Sequence, residues 1–253
     1  KDNGSGCCVV KKTLLVGGDS FSDLYYSENK PNNITSWPIL LSKKLDMNLV
    51  CVAQSGAGNE QIYSSLLDYI CDHKPDDIGL VISAWSKSQR MDFETSEEGF
   101  IHHSTGRRLH WSNAPTSPRG SIYHFIRKSI RNFYNIQMLC ESHNIQYKQF
   151  QMLPLFNDYI EEYTMGTEYQ DARFKAVRYV RESAQYDHIN KDNFIGWPMY
   201  DEGNGFVVAD ITVHNKEHFS RNNNSGKFII GNGDDHPNDE GHKMIMEFIY
   251  ENL

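Results

Sequence analysis

Apolar positions along this chain follow two rhythms. Short, nearly continuous apolar runs of strand length fall at Thr13–Gly17, Asn48–Ala53, Ile78–Ala84 and Gln146–Leu153. Between them, apolar residues recur at helical spacing. Ser36 to Leu45 carries Leu40, Leu41 and Leu45 on one stripe, with Ser36 placed as N-cap and Pro38 in the first turn. Asn59 to Cys71 carries Ile62, Leu66 and Ile70, and Pro75-Asp76-Asp77 breaks the pattern. Ser121 to Ser142 is the longest periodic stretch, with Ile122, Phe125, Ile126, Ile130, Phe133, Ile136 and Cys140 facing one way. Asp239 to Tyr250 closes the chain, with Ile245, Phe248 and Ile249 inward. Strand and helix signals in alternation predict a parallel sheet, and the lack of polar alternation within Ile78–Ala84 predicts helices on both of its faces. The expected architecture is a single three-layer α/β/α domain over residues 1–253. Its core is a doubly wound, flavodoxin-like sheet of about five strands.

Three stretches depart from the alternation. Residues 1–10 read as a flexible lead-in. Residues 87–120 are polar and rich in Arg, His and Ser. Residues 157–231 hold one helical pattern, Glu168 to Gln185, and a short apolar run, Phe206–Val213. The last two are expected as insertions that wall a cleft over the carboxyl end of the sheet.

Composition narrows the function. A net charge of −8 argues against general affinity for nucleic acid or acidic membranes. No apolar run approaches the length of a membrane span, and no secretory signal is visible. The five cysteines are Cys7, Cys8, Cys51, Cys71 and Cys140. Their odd number, and the apolar settings of the last three, suit reduced and buried thiols, which predicts synthesis in the cytoplasm. No phosphate-cradling glycine loop is present, so no cofactor is expected.

The chemistry concentrates at two places. Gly17-Gly18-Asp19-Ser20-Phe21-Ser22-Asp23 follows the first strand and presents a serine hydroxyl where open α/β folds bind ligands. Serine needs a base to become a nucleophile. Gly233-Asp234-Asp235-His236-Pro237-Asn238 offers a histidine in a loop, with carboxylates beside it, just before the last helix. Asp19 and Asp23 are expected to hold the serine turn through backbone hydrogen bonds.

Taken together, these blocks resemble the SGNH (GDSL-type) hydrolases. Gly18-Asp19-Ser20-Phe21-Ser22 matches their nucleophile block. Gln54-Ser55-Gly56-Ala57-Gly58-Asn59 matches the oxyanion-hole block, with Gly56 in the donor position, and His236 matches the catalytic histidine. Two departures mark the chain as divergent. The Gly-x-Asn block after the third strand is replaced by Ser83-Ala84-Trp85-Ser86-Lys87, with Ser86 where the Asn would stand. This Trp-Ser form with Arg90, together with Trp37-Pro38 and Gly196-Trp197-Pro198, is similar to bacteriophage-type and other divergent members, which implies a viral or bacterial source, a virion-associated protein being one case. The acid three residues before histidine is also missing, since Gly233 occupies that position. Some acetyl-esterase members use Asp-x-His, which points to Asp234, while a dyad aided by a backbone carbonyl stays open.

The resemblance implies a serine esterase working through an acyl-enzyme. Ser20 is the nucleophile, His236 the base and Asp234 its orienter. The backbone N–H groups of Ser20 and Gly56 form the oxyanion hole, supplemented by Ser86 or by the Asn59 side chain. The substrate would be a small-molecule or carbohydrate ester. The rings of Tyr159, Tyr163, Tyr169, Tyr179, Tyr186, Trp197 and Tyr200 favour an O-acetylated sugar, unless they serve to pack the insertion. The competing class is an SGNH-fold module that has lost catalysis and binds a glycan or protein. His214-Asn215-Lys216-Glu217-His218 has the spacing of an inverted zinc motif but lies in a loop-like, solvated context, so no metal site is expected.

Overall fold

The computed structural model describes residues 11–25, 34–88, 90, 92–95, 99–102, 122–155, 176–199, 205–209, 227–231 and 233–253. Five parallel strands form the central sheet: β1 (Thr13–Gly17), β2 (Asn48–Cys51), β3 (Ile78–Trp85), β6 (Tyr147–Gln151) and β7 (Phe194–Ile195). Their spatial order is β2-β1-β3-β6-β7. This is the doubly wound order in which the connections switch sides beside β1. Two antiparallel pairs lie outside that sheet: β4 (Asp92–Thr95) with β5 (Gly99–His102), and β8 (Ile229–Gly231) with β9 (Asp234–Pro237).

Side chains on β1 sort to opposite faces, as strand geometry requires. Leu15 joins Val81 and Trp85 in a core closed by α2 (Asn59–Asp72) and α3 (Ile122–Ser142). Leu14 and Val16 join Ile82 and Ala84 in a second core, closed by α1 (Trp37–Lys44) and α4 (Asp239–Glu251). Each helix turns its predicted stripe inward: Ile62, Leu66 and Ile70 from α2, and Ile126, Ile130, Phe133 and Ile136 from α3. From α4, Ile245 and Ile249 are fully buried, whereas Phe248 packs at the margin.

The helix caps differ from expectation. Ser36 is the N-cap of α1, yet its hydroxyl makes no capping bond and is buried with no partner among the described residues. The usual donors are gone: Pro38 has no N–H, the Ile39 N–H goes to the Ser36 carbonyl, and the Trp37 N–H goes to His242 Nδ1 at 3.3 Å. For α2 the cap comes from elsewhere in the chain. The Asp92 carboxylate accepts the Gly58 N–H at 2.8 Å and the Gln61 N–H at 3.0 Å.

Three readings need correction. The fifth strand, Phe194–Ile195, lies inside the stretch read as an insertion; two residues are too few to leave a periodic signal. The segment containing His236 is a strand, β9, rather than a loop. Of the three cysteines expected to be buried, Cys140 is, Cys51 is half-buried and Cys71 is exposed on the outer face of α2; all three are free thiols. Burial pushes the Cys51 and Cys140 thiols up to about 12, so both stay protonated. Within the predicted helix 168–185, residues 176–181 are helical. No described helix is long and apolar enough to cross a membrane.

Candidate active site

Ser20 follows β1 on a turn in which the Ser22 and Asp23 N–H groups both return to the Asp19 carbonyl, at 2.8 and 3.0 Å. Glycine is required just before it. A Cβ on Gly17 would sit 2.8 Å from Leu66, and one on Gly18 would sit 2.6 Å from the Ser22 hydroxyl. The turn is braced by two carboxylates. Asp23 accepts from the Ser55 N–H at 2.8 Å and the Ser55 hydroxyl at 2.7 Å, which ties the serine turn to the loop carrying Gly56.

Asp19 is completely buried. One of its oxygens accepts the Phe21 N–H at 3.1 Å. The other accepts from Ser86 Oγ at 2.8 Å and from Arg90 Nη1 at 2.9 Å. Arg90 Nη1 also donates to Ser86 Oγ at 2.7 Å and to the Ala57 carbonyl at 3.1 Å. A buried charge needs such a partner, because removing it from water costs several kcal/mol. Arg90 therefore clamps the residue before Ser20 to the residue after Gly56.

The hairpin β8–β9 brings His236 to the serine. His236 Nε2 lies 2.7 Å from Ser20 Oγ, bridging 216 positions of sequence. His236 Nδ1 lies 2.6 Å from Asp234 Oδ1, which also accepts the His236 backbone N–H at 3.1 Å. A carboxylate only accepts, so Nδ1 carries the proton and Nε2 is left to accept from the serine. The Phe21 ring packs against the imidazole with centroids 4.8 Å apart. Behind it, His242 is buried on α4, and that burial, aided by the nearby His236, pushes its pKa down to about 4. It stays neutral and adds no positive charge next to His236.

The expected oxyanion donors divide into two groups. Gly56 is buried with φ +85°, a conformation that favours glycine. Among the described residues, neither the Ser20 nor the Gly56 backbone N–H donates to another protein group. Ser86 and Asn59 are engaged with neighbouring protein groups. The Ser86 hydroxyl accepts from Arg90, so its own proton goes to Asp19. Asn59 uses its carbonyl oxygen to accept the Ser86 N–H at 2.7 Å and its amide to donate to Ser129 Oγ at 2.9 Å. Both side chains build the wall behind the site. Arg90 was visible in the sequence only as part of a motif; its ion pair with Asp19 was not read from it.

Of the aromatic residues taken as sugar platforms, Tyr179, Tyr186 and Trp197 pack against the α2–α3 core, with Tyr186 and Trp197 5.0 Å apart. Tyr159, Tyr163, Tyr169 and Tyr200 lie outside the described residues, as do His214 and His218. Among the described residues no group of three or more His, Cys, Asp or Glu is placed to hold a metal ion.

No protein-family model matches the chain, and no curated protein does. Solved structures do. TesA is 14% identical with a TM-score of 0.51, over 96% of this chain and 98% of its own. A G-D-S-L-family protein from Desulfitobacterium hafniense DCB-2 is 13% identical with a TM-score of 0.49, over 96% and 99%. The esterase EstA from Pseudoalteromonas sp., solved with monoethylphosphonate as inhibitor, is 14% identical with a TM-score of 0.46, over 95% and 96%. The chain, with its all-parallel sheet of five strands in the order β2-β1-β3-β6-β7, is thus similar in fold to TesA.

Proposed function

We propose that this protein is a serine esterase that hydrolyses a carboxylic ester through an acyl-enzyme. The observation that carries the proposal is the continuous chain from Ser20 Oγ through His236 to Asp234, with links of 2.7 and 2.6 Å. Such spacing already allows proton transfer without rearrangement. The same contact weighs against the alternative of a module that has lost catalysis and binds a glycan or protein.

In the first half-reaction, the Ser20 hydroxyl proton moves to His236 Nε2 as Oγ bonds to the ester carbonyl carbon. The carbonyl π electrons move onto oxygen. The backbone N–H groups of Ser20 and Gly56 stabilise that oxyanion, while Asp234 stabilises the imidazolium. Collapse of the tetrahedral species expels the alkoxide, which takes the proton from His236. Water then repeats the sequence, its proton passing to His236 and on to Ser20 as the acid departs. Each lost oxyanion donor lowers kcat by roughly a hundredfold or more, so a hole without the family's Asn gives a slow enzyme unless substrate binding compensates.

Hydrolysis of 4-nitrophenyl esters from acetyl to octanoyl, by wild type and Ser20→Ala, tests the proposal. Turnover by the wild type, a loss of at least about a thousandfold in Ser20→Ala, and a phosphonate adduct on Ser20 are expected. Equal rates in the two proteins, or none in either, would overturn it.

A further inference from the structure

One nitrogen joins the two sides of the oxyanion hole. Arg90 Nη1 donates to Asp19 Oδ2 at 2.9 Å and to the Ala57 carbonyl at 3.1 Å. Asp19 immediately precedes Ser20, and Ala57 immediately follows Gly56. Both acceptors are thus held around a single atom, and neither can shift without stretching a bond to it. The Ser86 hydroxyl closes the arrangement into a triangle, 2.7 Å from the same nitrogen and 2.8 Å from Asp19 Oδ2. The Arg90 side chain is 16% exposed and that of Asp19 is wholly buried, so water competes weakly for these bonds.

The loop that carries Gly56 is pinned at further points. The Gln54 N–H goes to the Gly18 carbonyl at 3.1 Å. The Ala57 N–H returns to the Gln54 carbonyl at 3.0 Å, closing a turn with Gly56 in the third position. The Gly58 N–H goes to Asp92, and the Asn59 side chain accepts the Ser86 N–H. The approach is close: a Cβ on Gly58 would sit 2.6 Å from Asp92 Oδ2 and 2.9 Å from the Arg90 carbonyl. Backbone N–H groups have no rotamers, so whatever fixes the two peptides also aims them. Two such donors stabilise an oxyanion only when both point at one atom, and a misplacement of about 1 Å costs on the order of a hundredfold in rate.

We propose that Arg90 is a positioning residue of the esterase, which sets the Ser20 and Gly56 N–H groups at the spacing of one oxyanion through Asp19 on one side and Ala57 on the other. The guanidinium acts through those two residues and not on the substrate. The inference rests on the serine-esterase reading. Binding of the uncharged ester does not need the two N–H groups to converge, so loss of the clamp should lower kcat and leave KM in place.

The test uses the 4-nitrophenyl ester that the wild type turns over fastest, with wild type, Arg90→Lys and the double variant Asp19→Asn/Arg90→Met. Rates are expressed per active site titrated to completion with ethyl 4-nitrophenyl methylphosphonate. The lysine keeps a cation beside Asp19 but loses the planar fork. The double variant removes the clamp without stranding a charge, so a lost rate in it cannot come from an unpaired carboxylate. Expected is a kcat lower by about tenfold in Arg90→Lys and about a hundredfold in the double variant, with KM held within about twofold. The inhibition constant of phenyl trifluoromethyl ketone should rise by the same factors. Ser20 Oγ adds to its carbonyl carbon, the proton passes to His236, and the carbonyl oxygen becomes the anion in the hole. A merely structural residue would lower the titrated fraction and leave kcat per site and ketone affinity at wild-type values. That result, or a change confined to KM, would overturn the role of Arg90 while the esterase reading stands. Should the double variant not fold, Arg90→Lys decides alone. A wild type that turns over no ester and takes no phosphonate would instead overturn the esterase reading, and this role with it.

Discussion

The two halves of the site are held in opposite ways. The serine half is anchored at depth. Asp19 is wholly buried and shares one oxygen between Ser86 and Arg90, and Asp23 ties the turn to Ser55. The histidine half stands on a two-stranded ribbon outside the central sheet, with the His236 and Asp234 side chains still 25% and 23% exposed. Rigidity is thus assigned to Ser20 and the loop carrying Gly56, which are tied together through Asp23 and Ser55. His236 has a local partner in Asp234, two residues away. The lesson is that stability and catalysis are separable here: disruption of the serine half should unfold the protein, and disruption of the histidine half should silence it.

The largest expected effect lies on the histidine side. Asp234→Asn should lower kcat/KM by about 10⁴-fold by losing the tautomer that leaves Nε2 free, with unfolding free energy changed by no more than about 0.5 kcal/mol. Ester hydrolysis and urea titration together check this, and a large stability loss would erase the contrast. Next is Arg90→Ala, which strands a buried carboxylate at Asp19. A loss of about 3–5 kcal/mol in urea unfolding is expected. A loss below about 1 kcal/mol would show that the serine half is not held by that ion pair.

A smaller effect separates the two halves by pH. His242 has a folded pKa of about 4, below the ordinary 6.5 of histidine, so the unfolded chain binds more protons between those values. Stability is complete above that window and falls with acidification through it, by about 2 kcal/mol near pH 5 from this group alone. His242→Gln should flatten the acid limb of a urea-midpoint profile; an unaltered limb would refute the assignment. Smallest is Asn238→Ala. Asn238 Oδ1 caps α4 through the Gly241 N–H at 3.0 Å, and Nδ2 holds the Lys227 and Ile229 carbonyls of the ribbon, each at 3.0 Å. About 1 kcal/mol of stability should be lost on thermal melting, with a measurable drop in activity, because the ribbon that bears the base loosens.

Much of this could be read from the sequence, for physical reasons that differ by element. The four long helices and the strands β1, β3 and β6 were legible because burial on a fixed face leaves periodicity. Ser20 and Gly56 were legible because a serine after a glycine turn and a glycine after the second strand occupy positions that few other residues tolerate. Phe194–Ile195 left no period to detect. The Asp92 cap of α2 reaches back 34 residues from the Gly58 N–H, beyond any local signal. The contacts of Ser86 and Asn59 depend on where Arg90 arrives, and only the folded arrangement fixes that.

The ribbon carrying His236 also has a consequence in time. Ser20 and His236 are 216 positions apart. At about 5–20 residues per second, a ribosome needs roughly 10–40 s to pass from one to the other. Throughout that interval the emerging chain holds a serine without a base. Ser20 and His236 can meet only once β9 has left the ribosome, so on the proposed function hydrolysis would begin no earlier than that, and its onset would time the docking of the ribbon.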